Sequence, residues 1–351
     1  MESLVNPQMV VLAREAQSWS QSELAAQLTI SQGKLSKIEA GIQSASPELL
    51  KKIAQVLGRP ESFFKQREPL YGIDTSILYH RKRESVLIRI LRQIDAHVNI
   101  RRMHIAALMR HADFEASKPF PFLDVEEFDG RPDKVARALR AAWTLPRGPV
   151  EDLTRVIEDA GGIVVRFDFG TRLIDGVSQR LPGLPPMFFL NSELPADRER
   201  MTLAHELGHV VMHRVVNLDI EDQANVFAAN FLMPAEDIRN SFNEVSLARM
   251  AALKPYWKVS MAALLVRAKD LGKMTVNQSE YCWKQMSKAG YRMREPRHLD
   301  IPRERPRLLS DLIELYRKRL GYSISDLCQL LHATEYEVRS VYLGETALRA
   351  V

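Results

Sequence analysis

The run His205-Glu206-Leu207-Gly208-His209 puts two imidazoles and a carboxylate within five residues. On a helix, positions four apart share a face, so both imidazoles reach one ion. Glu206 then reaches the water that the ion activates. A zinc ion lowers the pKa of such a water toward neutrality, and a neighbouring carboxylate takes its proton as general base. The chemistry indicated is metal-assisted hydrolysis. A third ligand must come from elsewhere. Glu221 opens a second helical run, Glu221-Asp222-Gln223-Ala224-Asn225, and can supply it. An acid is also favoured at a helix start on dipole grounds alone. His213 extends the spacing to three histidines four apart and is the alternative, although three turns of an unbroken helix rarely converge on one ion. Asn225, one turn beyond Glu221, is placed to orient a ligating histidine.

A second constellation lies near the start of the chain, at Ser20–Gly41, SQSELAAQLTISQGKLSKIEAG. Ser20 with Glu23 three residues on has the spacing of a capping box. Leu24, Ala25, Leu28, Leu35 and Ile38 lock two short helices together across the turn Thr29-Ile30-Ser31. The stretch resembles the helix-turn-helix of the XRE and phage-repressor family. That resemblance implies a recognition helix from Ser31 to about Ala40, with Gln32, Gly33, Lys34, Ser36 and Lys37 facing outward. Gln32 is then suited to adenine, Lys37 to guanine or phosphate, and Gln21 to phosphate. Gly33 offers no side chain where one is often found. Residues 1–69 carry 8 − 7 = +1 net charge, weak for a nucleic-acid binder, so a protein-interaction module of the same fold is the alternative.

The elements that must position these groups can be read more coarsely. The chain has 351 residues, enough for two or three domains. Its 46% hydrophobic and 26% charged residues exclude a wholly disordered chain. Net charge is 49 − 44 = +5, and residues 80–111 alone carry 8 − 2 = +6. That segment reads as a long helix from Ser85 to about Ala112. Its apolar side holds Leu87, Leu91, Ile94, Val98, Ile105 and Leu108. This stripe is the basis for expecting a homodimer, since helix-turn-helix proteins usually occupy two half-sites. His97, His104 and His111 recur every seven residues along it, a packed or solvated polar stripe rather than a second metal site. Ser117–Pro132 looks like a domain boundary. Ile163–Phe169, Gly176–Arg180 and Met187–Leu190 have strand composition, and the pattern from Asp197 to about Leu271 is helical.

Leu12–Gly41 and Leu315–Gly344 align without a gap, with Leu12/Leu315, Arg14/Arg317, Ser20/Ser323, Leu24/Leu327 and Gly41/Gly344 identical. The later copy has Glu335 and Glu337 where the earlier has Gln32 and Lys34. Phosphate repulsion argues against DNA reading there and favours a packing, dimerising or partner-binding role.

The motifs Phe188-Phe189-Leu190-Asn191, RERMTLAHELGHVVMH (198–213) and EDQANVFAANFLMP (221–234) resemble the ImmA/IrrE family of zinc metallopeptidases. The resemblance covers about Pro132–Pro234. It implies His205, His209 and Glu221 as ligands of one zinc ion per chain, Glu206 as catalytic base, and a small mixed α/β peptidase fold. The family is known chiefly for cutting repressors.

The expected protein is mainly α, with a small α+β metallopeptidase domain and an N-terminal lambda-repressor-like helix-turn-helix bundle. Its expected segments are a DNA-binding domain (1–69), a basic helical connector (70–130), the peptidase-like domain (131–275) and a helical C-terminal region holding the degenerate repeat (276–351). Expected partners are double-stranded DNA and a protein substrate: a repressor, an antitoxin or the chain itself. A metal domain that only senses a ligand or partner is the competing reading, and a protease that docks on a protein through its N-terminal domain is the third. Cys282 and Cys328 are too few for a disulfide framework or a Cys zinc site. No apolar run approaches the ~20 residues of a membrane span, and MESLVNPQMVVLARE has no basic signal-peptide region. A cytoplasmic location without membrane contact is therefore expected.

Overall fold

Short-range capping sets where the first helices begin. The computed structural model describes residues 5–72, 85–110, 118, 120–213 and 219–345. It divides into two compact units: Met1–Phe114 with Phe169–Thr171 and Arg307–Val351, and Glu115–Asp168 with Arg172–Pro306. In the first, Asn6 caps α1 (Pro7–Ala16), whose first residue is proline. Ser20 and Glu23 cap α2 (Gln21–Leu28) reciprocally, at 3.2 Å and 2.6 Å. Thr29 takes the left-handed conformation, φ 57°, and Ser31 then caps α3 (Gln32–Glu39). Ser46-Pro47 opens α4 (Pro47–Leu57), which stops at Gly58. Leu24, Ala25, Leu28 and Leu35 form one core with Met9, Val10 and Ala13 of α1, Leu50, Ile53 and Leu57 of α4, and Phe63 and Phe64. These elements form the lambda-repressor-like bundle expected above.

The long helix α5 (Ser85–Met109) serves two cores. Ala96, Ile100 and Met103 join the one just described. Ala107 and Leu108 join a second, with Ile313, Tyr316, Leu327, Leu331, Val338 and Tyr342 from the C-terminal region. Here the stripe expected to make a dimer departs from expectation. Ile94, Val98, Ile105 and Leu108 are already buried within the chain, because burial against its own segments is available without a partner. The side chain of Leu87, and His80, His111, Ala112 and Ser117, lie outside the described residues.

The C-terminal copy repeats the local devices of the first. Ser323 and Asp326 form a capping box, His332 is left-handed at φ 50°, and Thr334 caps the next turn. Gly41 and Gly344 close the two copies at φ 74° and 63°. Glu337, at the start of the third helix, is ion-paired with Arg59 at 2.6 Å and is largely enclosed.

In the second unit, α6 (Pro132–Ala142) and α7 (Leu153–Asp159) lead into a three-stranded sheet. Its strands are β1 (Ile163–Phe167), β2 (Gly176–Gln179) and β3 (Met187–Asn191), in the order β1-β3-β2. The β1–β3 pair is parallel and the β2–β3 pair antiparallel, with Ser178 opposite Phe188. All of β3 is buried, which is why Met187–Leu190 is an apolar run and not an alternation, and the buried Asn191 amide donates to Ile174 O at 3.0 Å. Behind the sheet lie α8 (Ala196–Met212) and α9 (Ile220–Leu232). Leu203, Ala204 and Leu207 of α8 share a core with Phe188 and Leu190 of β3 and Phe227, Ala228 and Phe231 of α9.

Charges anchor the beginning of α8. Lys254, 1% exposed, pairs with both Asp197 and Glu295. Arg200 pairs with Glu304, and Arg166 with Glu199. The Glu304 carboxylate also accepts from the first backbone N–H groups of α7, at 3.0 Å and 2.7 Å. Among the described residues no helix is long and apolar enough to cross a membrane.

Candidate metal centre and nucleic-acid interface

Two glycines let three elements meet at the histidines. A Cβ at Gly208 would lie 3.0 Å from the Phe227 ring and 3.4 Å from the Ala224 backbone, so α8 and α9 touch there. A Cβ at Gly176 would lie 2.7 Å from Thr202 and 3.4 Å from Glu206, so β2 lies flush on α8. The first contact brings Glu221 to the helix that carries the histidines. The second brings Ser178.

His205 Nε2 and His209 Nε2 are 3.0 Å apart, and Glu221 stands 3.4 Å and 3.3 Å from them. The three donor atoms lie within 4.8 Å of one another. A single ion with bonds of about 2.0–2.2 Å sits comfortably in such a cluster. The other ring nitrogens are engaged: His205 Nδ1 is 3.0 Å from Asn225 Oδ1, and His209 Nδ1 is 3.0 Å from His213 Nδ1. That leaves both Nε2 atoms for an ion. Imidazole nitrogens with one carboxylate suit a transition metal better than calcium or magnesium.

The electrostatics agree. Hydrogen bonds to both imidazoles hold the Glu221 carboxylate far below its ordinary range, so it is anionic at physiological pH. Burial works against a charged His205, but Glu221, Glu206 and Asn225 outweigh it and raise its pKa. Glu206 is buried. It accepts a 2.6 Å hydrogen bond from Ser178 Oγ at Oε2, and among the described residues no hydrogen bond is made to Oε1.

On the first unit, Gln32, Gly33, Lys34 and Lys37 are exposed along α3, whereas Ser36, beside buried Leu35, is half-buried and faces outward only in part. Ser31 acts as the cap, accepting from the Lys34 N–H at 3.2 Å. Gln32 Nε2 donates to Gln21 Oε1 at 2.8 Å, and Gln21 Nε2 donates to Glu39 at 2.8 Å. Glu39 is held in turn by Arg14, at 2.7 Å and 3.0 Å. The Gln32 amide thus keeps one N–H and its carbonyl oxygen for a ligand. That pattern complements the N7 acceptor and N6 donor of adenine.

Residues 158–269 match the family model described as IrrE N-terminal-like domain, and residues 12–64 match the model described as Helix-turn-helix. One chain thus carries a segment similar to helix-turn-helix domains and, after it, a segment similar to IrrE-like domains. No curated protein matches it. All of the histidine–glutamate cluster falls inside the IrrE-like match, and Gln21, Gln32 and Lys37 fall inside the helix-turn-helix match.

Several residues that shape these sites were not singled out from the sequence. Ser178 lies on a four-residue strand with no motif of its own, and only its register against β3 turns it toward Glu206. Gln223, between Glu221 and Asn225, carries no sequence signal of its own. Glu39 carries none either, although the Arg14/Arg317 identity of the repeat marks its partner.

Proposed function

We propose that the chain is a DNA-binding transcriptional regulator whose IrrE-like domain is a zinc-dependent endopeptidase. The observation that carries this reading is the convergence of His205, His209 and Glu221 beside Glu206, a carboxylate outside the ligand set. The three ligands would hold one zinc ion per chain and leave a fourth position open, as catalytic sites do. Bound zinc would supply Lewis acidity and an acidified water. Glu206 Oε1 would take the proton, while Ser178 holds Oε2 and so fixes the carboxylate plane. Strand β2 is an edge of the sheet, and an extended peptide adds to such an edge through main-chain hydrogen bonds.

On the DNA side, Gln32 would read adenine, Lys37 guanine or phosphate, and Gln21 phosphate, with Lys34 and Ser36 alongside and Ser31 at the helix start. A homodimer on two half-sites belongs to the reading, through a surface other than the buried α5 stripe. The substrate would be a repressor, an antitoxin or the chain itself, in the cytoplasm.

The deciding experiment combines metal analysis with cleavage. The zinc-loaded chain is incubated alone and with repressors or antitoxins encoded beside it, next to the Glu206→Gln variant. Cleavage by the wild type alone supports the peptidase. Zinc uptake without any cleavage would move the reading to a metal domain that senses a ligand or partner.

A further inference from the structure

His213 lies outside the ligand set, yet both its ring nitrogens are engaged. Nδ1 is 3.0 Å from His209 Nδ1, and Nε2 is 3.0 Å from Gln223 Oε1. The backbone explains the placement. α8 ends at Met212, and His213 turns to extended geometry, φ −108° and ψ 120°, with its N–H still donating to His209 O at 3.0 Å. Its ring therefore folds in behind His209 and does not continue along the helix face toward the ion cluster.

Hydrogen-bond polarity then runs in one direction. A neutral imidazole has one N–H and one lone pair. The Gln223 carbonyl oxygen can only accept, so the His213 proton sits on Nε2. His213 Nδ1 is then an acceptor, and the N–H between the two rings belongs to His209 Nδ1. The lone pair of His209 is left on Nε2, the atom facing His205 Nε2 at 3.0 Å and Glu221 at 3.3 Å. The reverse polarity would place the His209 proton on Nε2, and His209 would offer the cluster no lone pair.

We propose that Gln223 and His213 form a positioning relay that fixes His209 in the tautomer able to bind metal. This rests on the metal-site reading above. Helix α9 then serves both ligating histidines: Asn225 orients His205 directly, and Gln223 orients His209 through a second imidazole. Partners of this kind contribute to metal affinity without touching the metal.

The test measures zinc affinity of the full chain by competition with a chromophoric chelator. His213→Phe and Gln223→Leu are each expected to weaken zinc binding by about 10–100-fold. Gln223→Glu keeps the acceptor and is expected to hold wild-type affinity or better. Gln223 is only half-buried on a helix, so its variants preserve the fold if His213→Phe does not. The cobalt-substituted wild type and Gln223→Leu should share one visible spectrum, since no ligand is lost. Wild-type affinity, within twofold, in both His213→Phe and Gln223→Leu would overturn the relay, as would Gln223→Glu binding no better than Gln223→Leu. A wild-type chain that takes up no zinc overturns the metal-site reading and the relay with it.

Discussion

Gly208 stands against the ring of Phe227, with room for a hydrogen and no more: an added Cβ would lie 3.0 Å and 3.3 Å from Cδ1 and Cγ of that ring. The glycine between His205 and His209 is thus the point where α8 and α9 close on each other. Gly208→Ala gains about 1 kcal/mol of helix propensity. The Phe227 ring must then give by a few tenths of an ångström, at a cost of about 1–3 kcal/mol in a packed core. The expected outcome is a net loss of stability together with weaker zinc binding, because Glu221 moves with α9. Thermal unfolding and zinc titration check both, and unchanged zinc affinity would show that this contact does not set the Glu221 position.

Ligand and base should separate. His205→Ala is expected to lose the metal. Glu206→Gln should keep it and lose hydrolysis, since Glu206 is not a ligand. DNA binding should persist in Glu206→Gln. Ser178→Ala should retain zinc with reduced turnover, as the carboxylate loses its 2.6 Å partner. Metal analysis with a cleavage assay checks the set, and loss of zinc in Glu206→Gln would refute the role given to it.

The chain Arg14–Glu39–Gln21–Gln32 links a buried ion pair to the exposed face of α3. The side chains of Arg14 and Glu39 are 9% and 4% exposed, so removing the Glu39 carboxylate leaves the guanidinium its bond to Trp19 O and only a longer contact, 3.8 Å, with Glu15. Glu39→Ala is expected to cost about 3–5 kcal/mol of stability in this unit and to loosen both glutamines. Lys37→Ala leaves the ion pair intact and should weaken DNA binding by about 1–3 kcal/mol if it reads a base. If it meets phosphate, the salt dependence should become shallower. Denaturant unfolding and binding titrations at several salt concentrations check these.

His104 is 2% exposed, with Nδ1 2.5 Å from the Tyr342 hydroxyl. Burial pushes its pKa down to about 4; Glu337 opposes the shift, while Arg59, Arg101 and His332 add to it. In the unfolded chain the ring titrates near 6.5. The unfolded state therefore takes up the proton first as pH falls. Stability from the neutral ring is complete above about pH 6.5 and is lost progressively toward pH 4, by about 3 kcal/mol. His104→Gln should flatten the stability profile between pH 7 and 4.5. An unchanged slope would mean that His104 does not drive it.

The sequence by itself determined the local devices. Capping pairs such as Ser20/Glu23 and Ser323/Asp326 act over three residues, and the i, i+4 spacing of His205 and His209 is a property of any helix. Helix starts, the shared face of the two imidazoles and the doubled helix-turn-helix pattern were therefore legible before any fold was known. Glu221 and Asn225 were legible as a helical pair, but which of Glu221 and His213 joins the cluster was decided by where α8 ends. The α5 stripe marked an apolar face, yet only the fold showed that the C-terminal segment, more than 200 residues away, covers Leu108. Ser178, Glu39, Lys254 and Gln223 carry no pattern, because each acts on a residue distant in sequence or on another element. The partners of Ser178 and Gln223 are set by strand register and by the glycine-permitted approach of α8 to its neighbours, and that of Glu39 by the packing of α3 on α1; all are consequences of core packing, which periodicity does not encode.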